Sequence, residues 1–137
     1  MQWSLEGKKV LLTGGSRGIG RILAIALAEQ GASVAVLGKT MHPHPHLAGT
    51  LPETVASIEA VGGSGLAIAT DVREDGAIQH AIEKTVDHFG TIDIVIHNAG
   101  ALWWKPIVET PPSKFDLVMG VNGRAAHALA HYAAPYL

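Results

Sequence analysis

Apolar residues along this chain fall into two alternating patterns. Short continuous runs, such as "KKVLLT" (8–13), "SVAVLG" (33–38), "GLAIATD" (65–71) and "TIDIVIHN" (91–98), read as strands buried on both faces. Between them the spacing changes to three and four. "GIGRILAIALAEQG" places Ile19, Ile22, Leu23, Ala26 and Leu27 on one helical stripe, with Gly31 as the C-terminal cap. "LPETVASIEAVGG" does the same with Leu51, Val55 and Ile58, and Pro52 suits a first turn. "EDGAIQHAIEKTVDHFG" does so with Ile78, Ile82, Val86 and Phe89, and is stopped by Gly90. The stretch from Ser113 to Leu137 reads as mostly helix, with Phe115, Val118, Val121 and Ala125 as its stripe and Ser113 as N-cap. Strand and helix in strict alternation predict an α/β fold, a doubly wound parallel sheet with helices on both faces.

The chain has 137 residues, a length that suits one domain. With 47% hydrophobic and 16% charged residues it is expected to fold. The formal charge of −2 gives no electrostatic case for nucleic acid. The sequence contains no cysteine, which rules out disulfides and thiolate metal sites. The start, "MQWSLEGKKV", lacks the apolar core of a signal peptide, and "ILAIALA" falls well short of the ~20 residues of a membrane span. These features point to a soluble, cytoplasmic protein.

The strongest chemical signal is "TGGSRGIG" (13–20), between the first strand and the first helix. Gly14 permits a tight turn, Gly18 lets the backbone approach a ligand, and Gly20 lets the helix pack closely. A helix N-terminus placed there offers free N–H groups and a partial positive charge to a pyrophosphate. The strand before and the helix after are the context that makes a glycine triplet meaningful. No Gly-Lys-Ser/Thr ending is present, which argues against a triphosphate loop.

Thr13-Gly14-x-x-x-Gly18-x-Gly20 resembles the cofactor turn of the short-chain dehydrogenase/reductase family. Asp71-Val72, after the third strand, is similar to the family pair that holds the adenine ring. Asn98-Ala99-Gly100, after the fourth, resembles Asn-Asn-Ala-Gly with His97 in place of the first Asn; this puts in doubt one hydrogen bond that ties the strands together. Asn122 matches the asparagine of the family's catalytic tetrad. The loop carrying Lys39-Thr40, Pro43-His44-Pro45 and Leu47-x-Gly49-Thr50 is similar to that of a hydroxysteroid dehydrogenase-like branch. The resemblance implies a Rossmann-type sheet of order 3-2-1-4 and a dinucleotide-binding domain over 1–137. It implies cofactor contacts from Gly14, Gly15, Ser16, Arg17, Gly18, Ile19, Gly20, Lys39, Asp71, Val72, Asn98, Ala99 and Gly100.

Cofactor choice turns on the segment after the second strand, where the adenosine ribose sits in such sheets. No Asp or Glu occurs between Ser33 and Leu51; Lys39 stands there, and Arg17 lies in the glycine turn. Two cations attract a 2′-phosphate that a carboxylate would repel, so NADP(H) is expected over NAD(H). The histidines of "KTMHPHPHLAGT" (39–50) are not expected to hold a metal. His42 and His44 precede prolines, which favour extended or polyproline geometry and splay the rings apart.

In the family a tyrosine, a lysine four residues on and a serine complete the chemistry, general acid–base catalysis beside a bound hydride carrier. Here the tyrosines are Tyr132 and Tyr136, and neither is followed by that lysine. Of the tetrad, then, Asn122 alone is expected in this chain, which stops before the family's fifth strand. The favoured expectation is the cofactor-binding portion of an oxidoreductase acting on a small carbonyl or alcohol, inactive by itself and homo-oligomeric when complete. The alternative is a non-catalytic nucleotide-binding or partner-binding module. An apolar fourth strand left at a sheet edge predicts that the isolated chain aggregates, dimerises through that edge, or is only marginally stable. Trp103 and Trp104 follow that strand and are candidates to line an apolar pocket or to cover the core.

Overall fold

The computed structural model describes residues 4–137. Four strands, β1 (Lys9–Thr13), β2 (Ser33–Gly38), β3 (Ser64–Ala69) and β4 (Ile94–His97), form one parallel sheet in the order β3-β2-β1-β4. Five helices accompany them: α1 (Gly18–Glu29), α2 (Leu51–Ala60), α3 (Asp75–Phe89), α4 (Pro112–Met119) and α5 (Ala125–Ala133). Side chains of a strand alternate between faces, and here each face is covered. Val10, Leu12, Val34 and Val36 pack beneath Ala24, Ala28, Leu51 and Ile58 of α1 and α2. Leu11, Ala35, Leu37 and Ile68 meet Ile78, Ile82 and Leu129 of α3 and α5 on the other side. Continuous apolar strand runs are the direct result of this double cover.

The ends of the helices follow local chemistry. Gly31, with φ of +95°, ends α1 in a Schellman geometry: its N–H bonds the Ala28 carbonyl and the Ala32 N–H bonds that of Leu27. Thr50 opens α2 with a reciprocal capping box. Glu53 N–H donates to Thr50 Oγ1 at 3.2 Å, and Thr50 N–H donates to Glu53 Oε2 at 3.3 Å. Thr50→Ala is expected to lower stability by about 1 kcal/mol, read from the midpoint of a urea transition with an unchanged slope.

Four sequence expectations are corrected. Within α1 the buried residues are Gly20, Ala24 and Ala28, while Ile19 and Ile22 are 77% and 70% exposed. The close seat of α1 on the sheet admits only small side chains at its contact line, so the larger residues lie beside it or outside. The helix after residue 110 starts at Pro112 with Pro111 as N-cap, not Ser113. Nor is it continuous: Gly120–Arg124 is a π turn between α4 and α5. The extra residue in that turn rotates the face, so Ala125, Ala128, Leu129 and Ala133 are buried and Phe115 is 61% exposed. Strands β3 and β4 are also shorter than the apolar runs suggest.

Among the described residues β4 pairs with β1 alone, leaving its other edge open along Ile94, Val95 and His97. The 137-residue chain is therefore expected to self-associate through this edge. Sedimentation velocity that gives a single monomeric boundary across the accessible concentration range would contradict this.

Candidate functional site

The carboxyl ends of the four strands open onto a crevice of about 420 Å³, a volume typical of small-molecule sites. Gly14, Ser16 and Arg17 after β1, Lys39 and Thr40 after β2, Asp71, Val72 and Arg73 after β3, and Asn98, Ala99 and Gly100 after β4 line it. A doubly wound sheet places its ligand crevice here, because the strands all point one way and their loops gather at one end.

The glycine turn forms the floor. Gly14 has φ of +73°, a conformation that costs a side-chain-bearing residue about 1–2 kcal/mol. Gly20 is in regular helix, but a Cβ there would run into the Gly14 carbonyl and Asn98 Nδ2. Gly15 points inward against Val36, and its carbonyl accepts from Thr54 Oγ1 at 2.8 Å. Gly18 and Ile19 lie at the exposed start of α1, whose first turn has no side-chain cap. Of the residues expected to touch a cofactor, therefore, Gly15 and Gly20 shape the turn from behind, Gly18 and Ile19 stand outside the lining at the start of α1, and the other members line the opening.

His97 takes a larger part than the sequence suggested. Thr13 Oγ1 accepts from the N–H groups of Asn98 and Ala99, each at 3.1 Å. Its own proton is thus free for His97 Nδ1, 2.9 Å away. The opposite nitrogen, Nε2, lies 2.8 Å from the Val121 carbonyl, which can only accept. The network therefore assigns the neutral Nε2–H tautomer. One imidazole links β1 to the π turn. The hydrogen bond in doubt is replaced by a longer reach, and Asn98 Nδ2 adds donations to the Thr13 and Gly14 carbonyls. His97→Phe keeps a planar ring but strands the Thr13 hydroxyl and the Val121 carbonyl. It should cost about 1–3 kcal/mol in chemical denaturation.

Asn122 sits in that π turn. Its Oδ1 accepts from Ala101 N–H at 2.8 Å, and its Nδ2 donates to the Ala101 carbonyl at 2.9 Å. The side chain is thus committed to fixing the loop after Gly100. Single π turns are frequent at functional sites, and the paired glycines of "MGVNGR" were the sequence signal for this one.

The charge around the opening is lopsided. Arg17, Lys39 and Arg73 face a single carboxylate, Asp71. The Arg73 guanidinium grips both Asp71 oxygens, through Nε at 3.0 Å and Nη2 at 2.6 Å, and lowers the Asp71 pKa to about 2. Arg17 donates from Nη2 to Thr40 Oγ1 at 2.8 Å, while its Nε is buried without a partner. That orphaned donor fits an anionic ligand.

The histidine loop folds back over Arg17. Gly49 lies against the Ser16 carbonyl, and Leu51 N–H bonds the Thr40 carbonyl. His46 N–H donates to His44 Nδ1 at 3.1 Å, and the two rings meet edge to face. Among the described residues no group of three or more His, Cys, Asp or Glu is arranged to hold a metal ion. No helix of the described residues is long and apolar enough to cross a membrane. Trp103 lies under the Lys114 ammonium, 4.7 Å from its ring centre, and Trp104 is 84% exposed; neither lines the crevice.

A parallel sheet of this order, with a glycine turn floored by its first helix and a cationic opening, defines a doubly wound nucleotide-binding protein. More closely, the chain belongs to the short chain dehydrogenase family, whose model matches residues 8–137. It is 43% identical over 133 residues to a hydroxysteroid dehydrogenase-like protein 2 from Xenopus tropicalis, covering 97% of this chain and 32% of that one. A crystal structure of a short chain dehydrogenase from Mycobacterium thermoresistibile superposes with a TM-score of 0.93 at 41% identity, covering 97% of this chain and 48% of that one. An NADH-dependent reductase, A1-R′, complexed with NAD, superposes with a TM-score of 0.83 at 30% identity, covering 97% and 53%. The chain thus spans about a third of the length of the curated relatives it matches and about half of the solved chains.

Proposed function

We propose that residues 1–137 form the cofactor-binding portion of a short-chain oxidoreductase that interconverts an alcohol and a carbonyl, using NADP(H) in preference to NAD(H). The observation that carries the cofactor preference is the charge at the opening. Lys39 follows β2, where a ribose-binding carboxylate would select NAD, and the one carboxylate nearby is occupied by Arg73. Arg17, with its unpartnered Nε, adds a second donor for a 2′-phosphate.

The dinucleotide supplies the hydride when bound. This chain's residues bind and orient it. The uncapped first turn of α1 and the Gly14–Gly18 backbone receive the pyrophosphate, Lys39 and Arg17 the 2′-phosphate, and Asp71 with Val72 the base. Asn98, Ala99 and Gly100 shape the nicotinamide side of the crevice. Asn122 holds the neighbouring loop and is the one member of the family's catalytic set in this chain. Tyr132, on α5, packs against the core and takes no part. The chain by itself is therefore expected to bind cofactor without turnover.

Fluorescence titration with NADPH and NADH tests this reading. Tighter binding of NADPH is the expected result, and equal or weaker binding overturns the cofactor choice. Failure to bind either overturns the whole reading.

A further inference from the structure

The dipeptide Asn122–Gly123, inside the π turn, carries a chemistry of its own. An asparagine followed by glycine can lose its side-chain amide. The backbone nitrogen of Gly123 attacks Cγ of Asn122, the Nδ2 group leaves as ammonia, and a succinimide ring forms. Water then opens that ring at one carbonyl or the other, giving aspartate or isoaspartate. Glycine favours the closure because no Cβ stands beside the attacking nitrogen and its backbone is free to turn. The other asparagine of the chain, Asn98, precedes alanine.

The fold holds this pair away from closure. Closure needs the Asn122 backbone to leave helical geometry, so that Cγ can reach the Gly123 nitrogen. The flanking residues are helical, Met119 at φ −69° and ψ −36°, Arg124 at φ −61° and ψ −42°. The turn is also pinned at three points. Before the pair, the Val121 carbonyl accepts from His97 Nε2 at 2.8 Å. After it, the Arg124 guanidinium grips Asp75 on α3 through two bonds of 2.7 Å. Between these, the Asn122 amide exchanges two hydrogen bonds with the Ala101 backbone, and it must release both to react. Asn122 and Gly123 are both exposed, so water reaches the pair.

We propose that Asn122–Gly123 is a spontaneous deamidation site and that the Ala101 contact is the latch that keeps it intact. The overall change consumes water and releases ammonia, with nothing oxidised or reduced, and it proceeds whether or not a dinucleotide binds. The two latch bonds hold the reactive form down by about tenfold or more. The change runs one way. An aspartate side chain at 122 has no N–H to give the Ala101 carbonyl. An isoaspartate adds a methylene to the main chain inside the π turn. A chain that opens here and converts cannot remake the latch, and it sets a new negative charge against Ala101, which lines the crevice.

The test is timed incubation of this chain at mildly alkaline pH, folded in buffer and unfolded in guanidinium chloride, read by peptide mass spectrometry. Gly123→Ala is the companion variant. Its φ is not positive, and the added Cβ would meet only Met119 Cε, at 3.5 Å, so the fold accepts it. In the unfolded chain Asn122 should convert while Asn98 keeps its amide. In the folded chain conversion should be slower by about tenfold or more, or undetected over the same time. Gly123→Ala should suppress conversion in both states, because its methyl crowds the attacking nitrogen. Chain converted in denaturant and returned to buffer should unfold at a lower urea midpoint than Gly123→Ala treated alike. Equal persistence of the Asn122 and Asn98 amides in the unfolded chain would overturn the site. Equal conversion rates in the two states would overturn the latch. Undiminished conversion in Gly123→Ala would overturn attack by the Gly123 nitrogen, and an unchanged urea midpoint would overturn the one-way loss of the latch.

Discussion

Gly20→Ala is expected to destabilise the chain by about 2–3 kcal/mol and to abolish dinucleotide binding. Helix propensity alone argues the other way, since replacing glycine by alanine inside a helix gains about 1 kcal/mol. Contact decides the sign. The new methyl would overlap the Gly14 carbonyl oxygen, lie 2.9 Å from the Gly14 carbonyl carbon, and press on Asn98 Nδ2. These neighbours are backbone atoms of the turn and a side chain that donates to that same turn at 3.1 Å. Neither can move without unmaking the floor of the crevice. Gly76→Ala is the natural control. It is also helical, near the start of α3, with open space where its Cβ would stand, so the same substitution should there be neutral or mildly stabilising. Urea denaturation and NADPH titration of the two variants side by side give the answer. Gly20→Ala with undiminished affinity would mean that the turn carries no ligand.

Lys39→Glu is expected to invert cofactor preference. The lysine is exposed at the end of β2 and lines the crevice with Thr40 and Arg17. A full charge reversal near a phosphate changes the interaction by several kcal/mol at an effective dielectric of about 20, and solvent screening reduces this to about 1–3 kcal/mol. That corresponds to about tenfold to a hundredfold weaker NADPH binding. NADH should bind as well as before or better, because a carboxylate at this position accepts from the free ribose hydroxyls. The effect on NADPH should shrink as salt is raised. An unchanged NADPH-to-NADH ratio would place the 2′-phosphate elsewhere.

How far the sequence reaches is clearest in particular residues. The switch between continuous apolar runs and 3.6-residue spacing predicted the four strands and the helices between them, because strand and helix periods are local properties of the chain. The order Thr13, Gly14, Gly18, Gly20, then Lys39, Asp71 and Asn98 predicted one crevice, since parallel strands deliver their ends to one side of the sheet. Gly31 and Gly90 marked helix ends for the same local reason. The capping box at Thr50 and Glu53 is a local pattern too, but it emerged only with the structure.

Other features depend on contacts between distant parts of the chain. The exposure of Ile19 and Ile22 follows from how closely α1 seats on the sheet, which hydropathy does not encode. The phase slip that sends Phe115 outward needs the π turn, and that turn is tied down by Asn122 to Ala101 and by His97 to Val121. His97 read as a departure from a motif; only the approach of β1, β4 and the π turn makes it a link with one tautomer. Local periodicity thus determined the strands and helices, and the family resemblance supplied the strand order and the residues around the crevice. Tertiary packing decided which side chains were left to face a ligand, because a buried polar atom takes its partner from whatever the fold brings within hydrogen-bond reach.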